Sequence, residues 1–591
     1  MRKDEFIVLN SLYNGSVGRA DCTADLERVL MLYNHDTYEF LEKQGFISDS
    51  RLTDAGLNAL APYKVDNAVI LAAGASTRFI PLSLEQPKGL FEVKGEKLIE
   101  RQIQQLQAAG IMSITVVIGY KKEMFYYLED KYGVKLIIND TFNIKNNIES
   151  LYLARSELRN TYICVSDSYF VENPFNQYEY QTFNAGVSVE EPTNEMYVDC
   201  DTSGRIIRME TGRAQGRVLL GHAFWREEFS GEFIALAEKG RELGKYNSAF
   251  WEWLVKDNIT TMPPIYFHEY AASSIFEFDY FEELRKFDTQ YLDHTHSEII
   301  RNIKLVFRCD EEDIVGFRNV SKGMTNTSFV FKIDGVDYIY RHPGDGTDSI
   351  ISRKNEKISL KIAKEMGIDP TYIYADVNEG WKISVFVHEF REPDYASFED
   401  SKRILSVLRK LHASGVKVDY GLKPWEDSLA IEKLLLSKDP SCFKPYEELK
   451  GKIGKIYQMT IGDGIEKCFC HGDTYQPNWM LKPDGQVVLI DWEYAGYSDP
   501  GIDVGYYIVD AMYDFDKAEE FIKEYLQDNY NKANRFHFMA YVAIIAYYWF
   551  VWAMYRESCG AVMGEAIEKW RSVAEKYVDH LLECVTHTKR E

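Results

Sequence analysis

The sequence predicts a multidomain protein that combines an α/β domain with an α+β domain. Its 591 residues far exceed the roughly 250–300 residues at which one hydrophobic core stops growing. Residues 68–74 form an apolar run that ends in small side chains, and strand-like and helix-like stretches alternate from there to about residue 290. This alternation predicts a parallel sheet covered by helices. Beyond residue 300, two apolar stretches flank the turn Asp334-Gly335 and predict a β-hairpin, which a largely helical remainder follows.

The composition excludes several classes of function. The chain is 46% hydrophobic and 14% aromatic, which is typical of a soluble globular protein, and no uninterrupted apolar run reaches the roughly 18 residues of a membrane span. The first residues lack signal-peptide character, and nine scattered cysteines fit a reducing compartment. We therefore predict a cytoplasmic protein that does not associate with membranes. A formal charge of −24 also argues against nucleic acid as a partner, because phosphate backbones are bound by clustered Lys and Arg.

Changes of pattern along the chain predict three domains and one linker. Residues 1–64 read as short helices followed by turn residues between two apolar pieces, and they resemble the small winged-helix fold, with residues 52–56 placed like the end of its wing. The acidic excess of this segment favours an interaction or regulatory module over a DNA reader. Residues 65–292 form the α/β domain and residues 300–591 the last domain, with polar sequence around 288–297 as the linker.

A loop of small residues after the first buried strand predicts a nucleotide site. Ala73 and Gly74 lie in this loop, Arg78 follows it, and Lys88 comes directly after Pro87. Backbone amides of such a loop can approach a triphosphate closely, while the two cations neutralise charge as pyrophosphate departs. A tight turn with two solvated cations is the simpler, less favoured interpretation.

Residues 66–290 resemble the sugar-phosphate nucleotidyltransferase superfamily, which has a Rossmann-like fold, and especially its bacterial phosphocholine cytidylyltransferase branch. The resemblance implies magnesium ligands at Asp167, at the end of a buried strand, and at Asp279, in a short acidic motif. It places Asn147 and Ser150 near the nucleotide or the acceptor, although helix capping explains these polar residues equally well. It also implies in-line attack by an acceptor phosphate oxygen on the α-phosphorus of a nucleoside triphosphate, without a protein nucleophile.

A second catalytic pattern lies in residues 471–478 and 490–494. Asp473 can accept the proton of an attacking hydroxyl, and Asn478, five residues later, can reach a magnesium ion. Asp491 follows a separate apolar strand and can hold the metal against the phosphates. This spacing predicts a phosphotransferase that uses ATP and Mg²⁺.

From about residue 300 the chain resembles choline kinases and the two-lobed aminoglycoside-phosphotransferase-like fold. The resemblance places Gly323 in a loop over the ATP phosphates and the backbone of Glu389 near adenine. It pairs Arg341 with Glu356 as the cation and the helix acid that hold the phosphates, although an ordinary surface Arg–Glu pair is the simpler alternative. Protein kinases have Lys where this chain has Arg341, which argues against a protein kinase.

An aromatic stripe near the C-terminus predicts recognition of a quaternary ammonium, which has no N–H and binds best against aromatic faces beside a carboxylate. Trp549 and Trp552 share a helix face that Tyr555 extends. Composition alone favours a core stripe, but choline kinases carry a Trp-x-x-Trp in the corresponding helix. The same resemblance matches Asp510 to a Glu that faces the ammonium, and Phe515 to a Tyr.

Together, these patterns predict a bifunctional enzyme that makes CDP-choline: choline and ATP give phosphocholine, and phosphocholine and CTP give CDP-choline and pyrophosphate. A further aromatic and acidic group is expected in the first enzyme around Trp225, Trp251 or Trp253. The resemblance implies a bacterial role in decorating surface polysaccharide or teichoic acid, and homo-oligomerisation stays open. Two alternatives remain: a pair of enzymes for ethanolamine or a sugar, and a winged-helix regulator that senses choline or CDP-choline.

Overall fold

The computed structural model describes residues 1–16, 35–291, 296–320, 327–343, 352–559 and 563–588. The chain forms two compact units, Met1–Glu311 and Glu312–Glu591. The division lies later than the sequence-based boundary at residue 300.

The first unit alternates helices and strands along most of its length. Its helices are α1 (Lys3–Ser16), α2 (His35–Lys43), α3 (Asp54–Leu60), α4 (Leu98–Ala108), α5 (Tyr127–Tyr132), α6 (Asn147–Leu153), α7 (Glu227–Glu242), α8 (Trp251–Asn258), α9 (Phe281–Phe287) and α10 (Glu298–Phe307). Its strands are β1 (Ile47–Ser48), β2 (Arg51–Leu52), β3 (Asn67–Ala72), β4 (Glu92–Val93), β5 (Glu96–Lys97), β6 (Ile114–Ile118), β7 (Lys135–Ile138), β8 (Thr161–Val165), β9 (Ser168–Phe170), β10 (Phe183–Val189), β11 (Tyr197–Cys200), β12 (Ile206–Glu210), β13 (Gly216–Trp225), β14 (Tyr266–Glu269) and β15 (Ile275–Glu277).

The N-terminal residues fold around a short hairpin of β1 and β2. Residues 52–56, predicted to end a wing, end β2 and begin α3, where the Thr53 side chain caps the helix by accepting from the Gly56 amide. Tyr178 from the α/β domain belongs to the small core of this segment. The segment is therefore part of the first unit, and the winged-helix assignment stays a prediction.

The central sheet of the first unit has nine strands and is mixed rather than purely parallel. Strands β8, β3, β6 and β7 are parallel neighbours, as the alternating pattern predicts. Strands β10 to β13 extend the sheet with antiparallel pairs, because the segment after β9 returns through strands instead of crossover helices. One apolar core includes residues of α4 and α5, and a second includes residues of α6, α7 and α8.

The second unit has an antiparallel sheet followed by a helical part. Its strands are β16 (Val315–Val320), β17 (Thr327–Ile333), β18 (Val336–His342), β19 (Tyr372–Ala375), β20 (Lys382–Val385), β21 (Cys468–Cys470), β22 (Trp479–Leu481), β23 (Val487–Leu489) and β24 (Gly496–Ser498). Its helices are α11 (Arg353–Glu365), α12 (Phe398–His412), α13 (Pro424–Lys438), α14 (Glu447–Thr460), α15 (Gly501–Asp510), α16 (Phe515–Leu526), α17 (Lys532–Ser558) and α18 (Gly564–Thr588).

The predicted hairpin is confirmed as β17 and β18, which pair around the turn at Asp334 and Gly335. The five strands run in the order β16-β17-β18-β20-β19. Among the described residues, α17 is long and apolar enough to span a membrane by length and composition, but 89% of its most apolar stretch is buried inside the protein. Its side chains form the centre of the helical core.

Candidate active sites

A cavity of about 730 Å³ in the first unit opens beside the ends of β3 and β8. Because these strands are parallel neighbours, the loops that follow them meet at one edge of the sheet. All eight residues predicted for nucleotidyl transfer line this cavity: Ala73, Gly74, Arg78, Lys88, Asn147, Ser150, Asp167 and Asp279.

Lys88 provides a buried positive charge in this cavity. Its Nζ lies 2.8 Å from Oδ2 of Asp167, and its side chain is only 6% exposed. The close approach depends on Gly89, where a Cβ atom would lie 2.9 Å from Cβ of Ser166. Burial lowers the pKa of Lys88, but Asp167 and two further acids outweigh burial and raise it. Lys88 therefore stays charged and can neutralise phosphate oxygens.

The acids around Lys88 form a carboxylate cluster. Burial raises the pKa of Glu277 well above its usual value, and the charge of Asp167 raises it further. Asp279 Oδ2 accepts a hydrogen bond from Nη1 of Arg78 at 3.1 Å. Carboxylate oxygens are the ligands that Mg²⁺ prefers, so these acids fit a magnesium site.

Asn147 and Ser150 hold the cavity wall together. Asn147 Oδ1 accepts a hydrogen bond from the backbone amide of Trp251 at 2.8 Å, and Ser150 Oγ accepts one from Asn139 at 3.0 Å. The cap of α6 is Asn146, so capping does not explain the two predicted residues. Their contact with a nucleotide or an acceptor stays a prediction.

A wall of the same cavity is acidic and aromatic. This wall is lined by Trp251, Trp253, Glu195 and Glu252. Trp225 does not reach the cavity, because it is fully buried in the core against Trp251. Burial raises the pKa of Glu252 to about 7. Its Oε2 is buried and has no hydrogen-bond partner among the described residues. Sequence spacing did not single out the two glutamates, because they are far apart along the chain and only the fold brings them together.

In the second unit, two cations on neighbouring strands meet one helix acid. Arg341 on β18 lies directly opposite Lys382 on β20. Arg341 Nη2 lies 2.6 Å from Oε1 of Glu356, and Lys382 Nζ lies 3.2 Å from the same atom. The predicted pair of Arg341 and Glu356 is therefore formed and buried, and it is not a surface pair. Lys382 was missed, although it is the one cation in the apolar strand β20.

The loop after β21 is held by a buried carboxylate. Asp503 on α15 accepts hydrogen bonds from the backbone amides of His471 and Gly472, at 2.8 and 2.7 Å. Nε2 of His412 lies 2.9 Å from the same carboxylate. His471 Nε2 lies 2.9 Å from the carbonyl of Ile490. These contacts fix the backbone that leads into the predicted base, and local sequence patterns carried no signal for Asp503.

Asp473, the predicted base, is buried and is 8% exposed. Burial raises the pKa of Asp473 well above its usual value, and the nearby charges of Asp491 and Glu493 raise it further. Asn478 Nδ2 donates to Oδ2 of Asp473 at 3.0 Å and to its carbonyl at 2.9 Å. Asn478 thus orients Asp473, and a raised pKa strengthens Asp473 as a proton acceptor.

Asp491 contacts both cations, and its charge also acts on the base. Its Oδ1 is 3.1 Å from both Arg341 Nη1 and Lys382 Nζ. Burial raises the pKa of Asp491, but the two cations outweigh burial and lower it. Carboxylate oxygens of Asp491, Glu356 and Glu493 lie within 4.8 Å of one another, and the ionised carboxylate of Asp491 offers oxygens that suit a hard divalent cation.

An aromatic cluster of the second unit joins the predicted base. The ring of Tyr506 stacks on Trp549 with 4.9 Å between centroids, and its hydroxyl interacts with the Asp473 carboxylate and partly offsets the rise in the pKa of that group. Trp549 also contacts Trp552 at 5.2 Å and Trp570 at 5.9 Å. Trp570 lies on α18 and was missed. We call Tyr506, Trp549, Trp552 and Trp570 the aromatic cluster.

The remaining predicted residues of the second unit lie elsewhere or outside the described residues. The ring of Phe515 stacks on His580, and Lys438 lies over the ring of Tyr555, so the described contacts do not bring these two rings to the aromatic cluster. Glu389 is exposed, in the segment after β20, with a φ of 50°. Gly323 lies outside the described residues.

The fold and the two sites define a nucleotidyltransferase unit followed by a kinase-like phosphotransferase unit. Residues 68–192 match the family model described as a MobA-like NTP transferase domain, and residues 317–559 match that of choline/ethanolamine kinase. The chain is 35% identical over 221 residues to the choline-phosphate cytidylyltransferase of Streptococcus pneumoniae, which covers 37% of this chain and 96% of the relative. The chain therefore belongs to the choline-phosphate cytidylyltransferase family, and a choline kinase domain is fused to its cytidylyltransferase domain.

Two further similarities concern one domain each. The chain is 32% identical to the 2-aminoethylphosphonate cytidylyltransferase of Lancefieldella rimae, over 38% of this chain and 93% of the relative. The crystal structure of choline kinase LicA from Streptococcus pneumoniae is similar over 48% of this chain and 100% of the LicA chain, with 23% identity and a TM-score of 0.43.

Proposed function

We propose that this chain makes CDP-choline in two consecutive reactions, the phosphorylation of choline by ATP and the transfer of a cytidylyl group from CTP to phosphocholine. The observation that carries the proposal is that the ring of Tyr506 stacks on Trp549, while its hydroxyl interacts with the carboxylate of the base, Asp473. A quaternary ammonium held against these rings would place a short alcohol arm near the base. Family membership supplies the matching second reaction, activation of the phosphomonoester by a nucleotide.

In the kinase reaction, Asp473 accepts the proton of the choline hydroxyl as the oxygen attacks the γ-phosphorus of ATP, and ADP leaves as the bond to the bridging oxygen breaks. Asn478 orients the carboxylate of Asp473. Arg341 and Lys382 neutralise phosphate oxygens, and Glu356 holds both cations in place. Asp491 and Asn478 would hold Mg²⁺, which supplies charge neutralisation on the phosphates when bound.

In the cytidylyl transfer, a phosphate oxygen of phosphocholine attacks the α-phosphorus of CTP, and pyrophosphate leaves. The loop of Ala73 and Gly74 offers backbone amides to the triphosphate. Lys88 and Arg78 neutralise the departing charge, and Asp167 and Asp279 would hold Mg²⁺. Positioning and charge neutralisation carry the rate, so no protein nucleophile is required.

The acidic and aromatic wall of the first cavity suits the ammonium end of phosphocholine. Trp253 offers an aromatic face, and Glu195 and Glu252 offer carboxylates beside it. Glu252 has a pKa of about 7, so a bound cation would favour its charged form. This arrangement supports an ammonium-bearing acceptor over a sugar phosphate, which would require several polar partners.

Two separate half-reactions test the proposal with the purified chain and Mg²⁺. Choline and ATP should give ADP and phosphocholine without CTP, and phosphocholine and CTP should give pyrophosphate and CDP-choline without ATP. Absence of either product would refute the corresponding half of the proposal. The use of CDP-choline to decorate a bacterial surface glycan stays a prediction. Because the chain retains both sets of proposed catalytic carboxylates, a regulator built from inactive domains is disfavoured.

A further inference from the structure

The carboxylate predicted to face choline is already paired inside the protein. Asp510 Oδ1 lies 3.1 Å from the ammonium of Lys569, which also donates to the Asp510 carbonyl at 3.1 Å. Asp510 Oδ2 accepts hydrogen bonds from the Tyr395 hydroxyl and from the backbone N–H of Gln476, the latter at 3.0 Å. Both oxygens of Asp510 are therefore engaged.

This ion pair adjoins the aromatic cluster. Lys569 directly precedes Trp570 on α18, and Asp510 lies one helical turn after Tyr506 on α15. The charge of Asp510 also contributes to the raised pKa of Tyr506. A substrate ammonium at the aromatic cluster would therefore meet an Asp510 carboxylate whose charge is already neutralised by Lys569 of α18.

The buried polar atoms of the cluster that lack partners are donors. The indole Nε1–H groups of Trp549, Trp552 and Trp570 are buried and have no hydrogen-bond partner among the described residues. A primary ammonium is also a donor, so it cannot pair with these groups and loses its water without compensation. A quaternary ammonium has no N–H to satisfy and binds through the ring faces.

We propose that Lys569 determines which amine the kinase accepts: by occupying Asp510, it withholds from a primary ammonium the carboxylate that would accept its hydrogen bonds, and so favours choline over ethanolamine. This inference rests on the proposed kinase function. Choline loses little binding free energy when Lys569 occupies Asp510, because its cation–π contacts with the aromatic cluster remain. Lys569 acts through Asp510 and is a specificity-determining residue rather than a catalytic one.

The test is the ratio of kcat/KM for ethanolamine to that for choline in the full chain. Lys569→Met should raise this ratio by about tenfold or more, since it frees a charged acceptor. Lys569→Met combined with Asp510→Asn should return the ratio toward that of the wild type, because the gain requires the freed carboxylate. Lys569→Arg keeps the pair and should keep the preference, and Lys523→Met on the exposed surface of α16 is the matched control.

A ratio that stays within about twofold of the wild type in Lys569→Met, or a gain that persists without the Asp510 carboxylate, would overturn the proposal. Calorimetric titration with choline and with ethanolamine separates this failure from failure of the proposed function. If the wild type phosphorylates neither amine, the kinase assignment is wrong. In that case the calorimetric titration still tests the role of Lys569, because the proposal requires that Lys569→Met bind ethanolamine more tightly than the wild type does. Thermal unfolding of each variant checks that the fold is retained.

Discussion

At the residue scale, we propose that Asp473 carries the chemistry of the kinase site. Its carboxylate accepts a hydrogen bond from Asn478, and burial raises its pKa. We expect Asp473→Asn to lower kcat for choline phosphorylation by about 10²–10⁴-fold, because the amide has a similar shape but accepts no proton. Conversion of supplied phosphocholine by the same variant is the control. Kinase activity near that of the wild type would remove Asp473 from the mechanism.

We expect Glu252 to make cytidylyl transfer sensitive to pH. Its raised pKa, about 7, means that the side chain is largely neutral below this pH and ionised above it. If Glu252 faces the ammonium, the KM for phosphocholine should fall as the pH rises from about 6 to about 8. Steady-state kinetics with Glu252→Gln are the comparison, since an uncharged side chain should remove this part of the pH dependence and leave titration of the substrate. An identical profile in both proteins would contradict the assignment.

At the scale of elements, two neighbouring strands bring together the positive charge that we propose binds the ATP phosphates. Arg341 and Lys382 lie directly opposite each other on β18 and β20, and both contact Glu356 and Asp491. We expect Lys382→Met to lower kcat/KM for ATP by about tenfold or more, because Asp491 loses one of its two cations. Lys361→Met, an exposed substitution on α11, is the matched control. An effect no larger than that of the control would show that Arg341 alone suffices to neutralise the ATP phosphates.

The same elements show what the sequence can and cannot predict. The β17–β18 hairpin and the strands β3 and β8 follow from local apolar runs and turn residues, so they were predicted close to their observed positions. Residues such as Asp503, Glu195 and Trp570 act through partners distant in the chain, and local patterns carry no signal for such contacts. The antiparallel half of the first sheet was missed for a related reason, since strand direction depends on how the connections run.

At the scale of the whole molecule, the chain has two compact units, and we propose that each has its own catalytic residues. Lys88→Ala should stop the pathway at phosphocholine by lowering cytidylyl transfer by about 10²–10³-fold, and Asp473→Asn should block it at choline. A mixture of the two variants with choline, ATP and CTP should form CDP-choline, because phosphocholine released by one protein can be used by the other. Failure of the mixture, with each remaining half-reaction intact, would indicate that the intermediate is not released.

Phosphorus NMR of the wild-type chain with Mg²⁺, ATP, CTP and either choline or ethanolamine tests the central claim most directly. The account predicts that with choline a phosphomonoester signal appears first and is followed by the diphosphate signals of CDP-choline and by pyrophosphate. With ethanolamine, the phosphomonoester should form much more slowly. Equal or faster phosphorylation of ethanolamine would contradict the assignment of the aromatic cluster to choline, and the absence of new signals with both amines would contradict the proposed function itself.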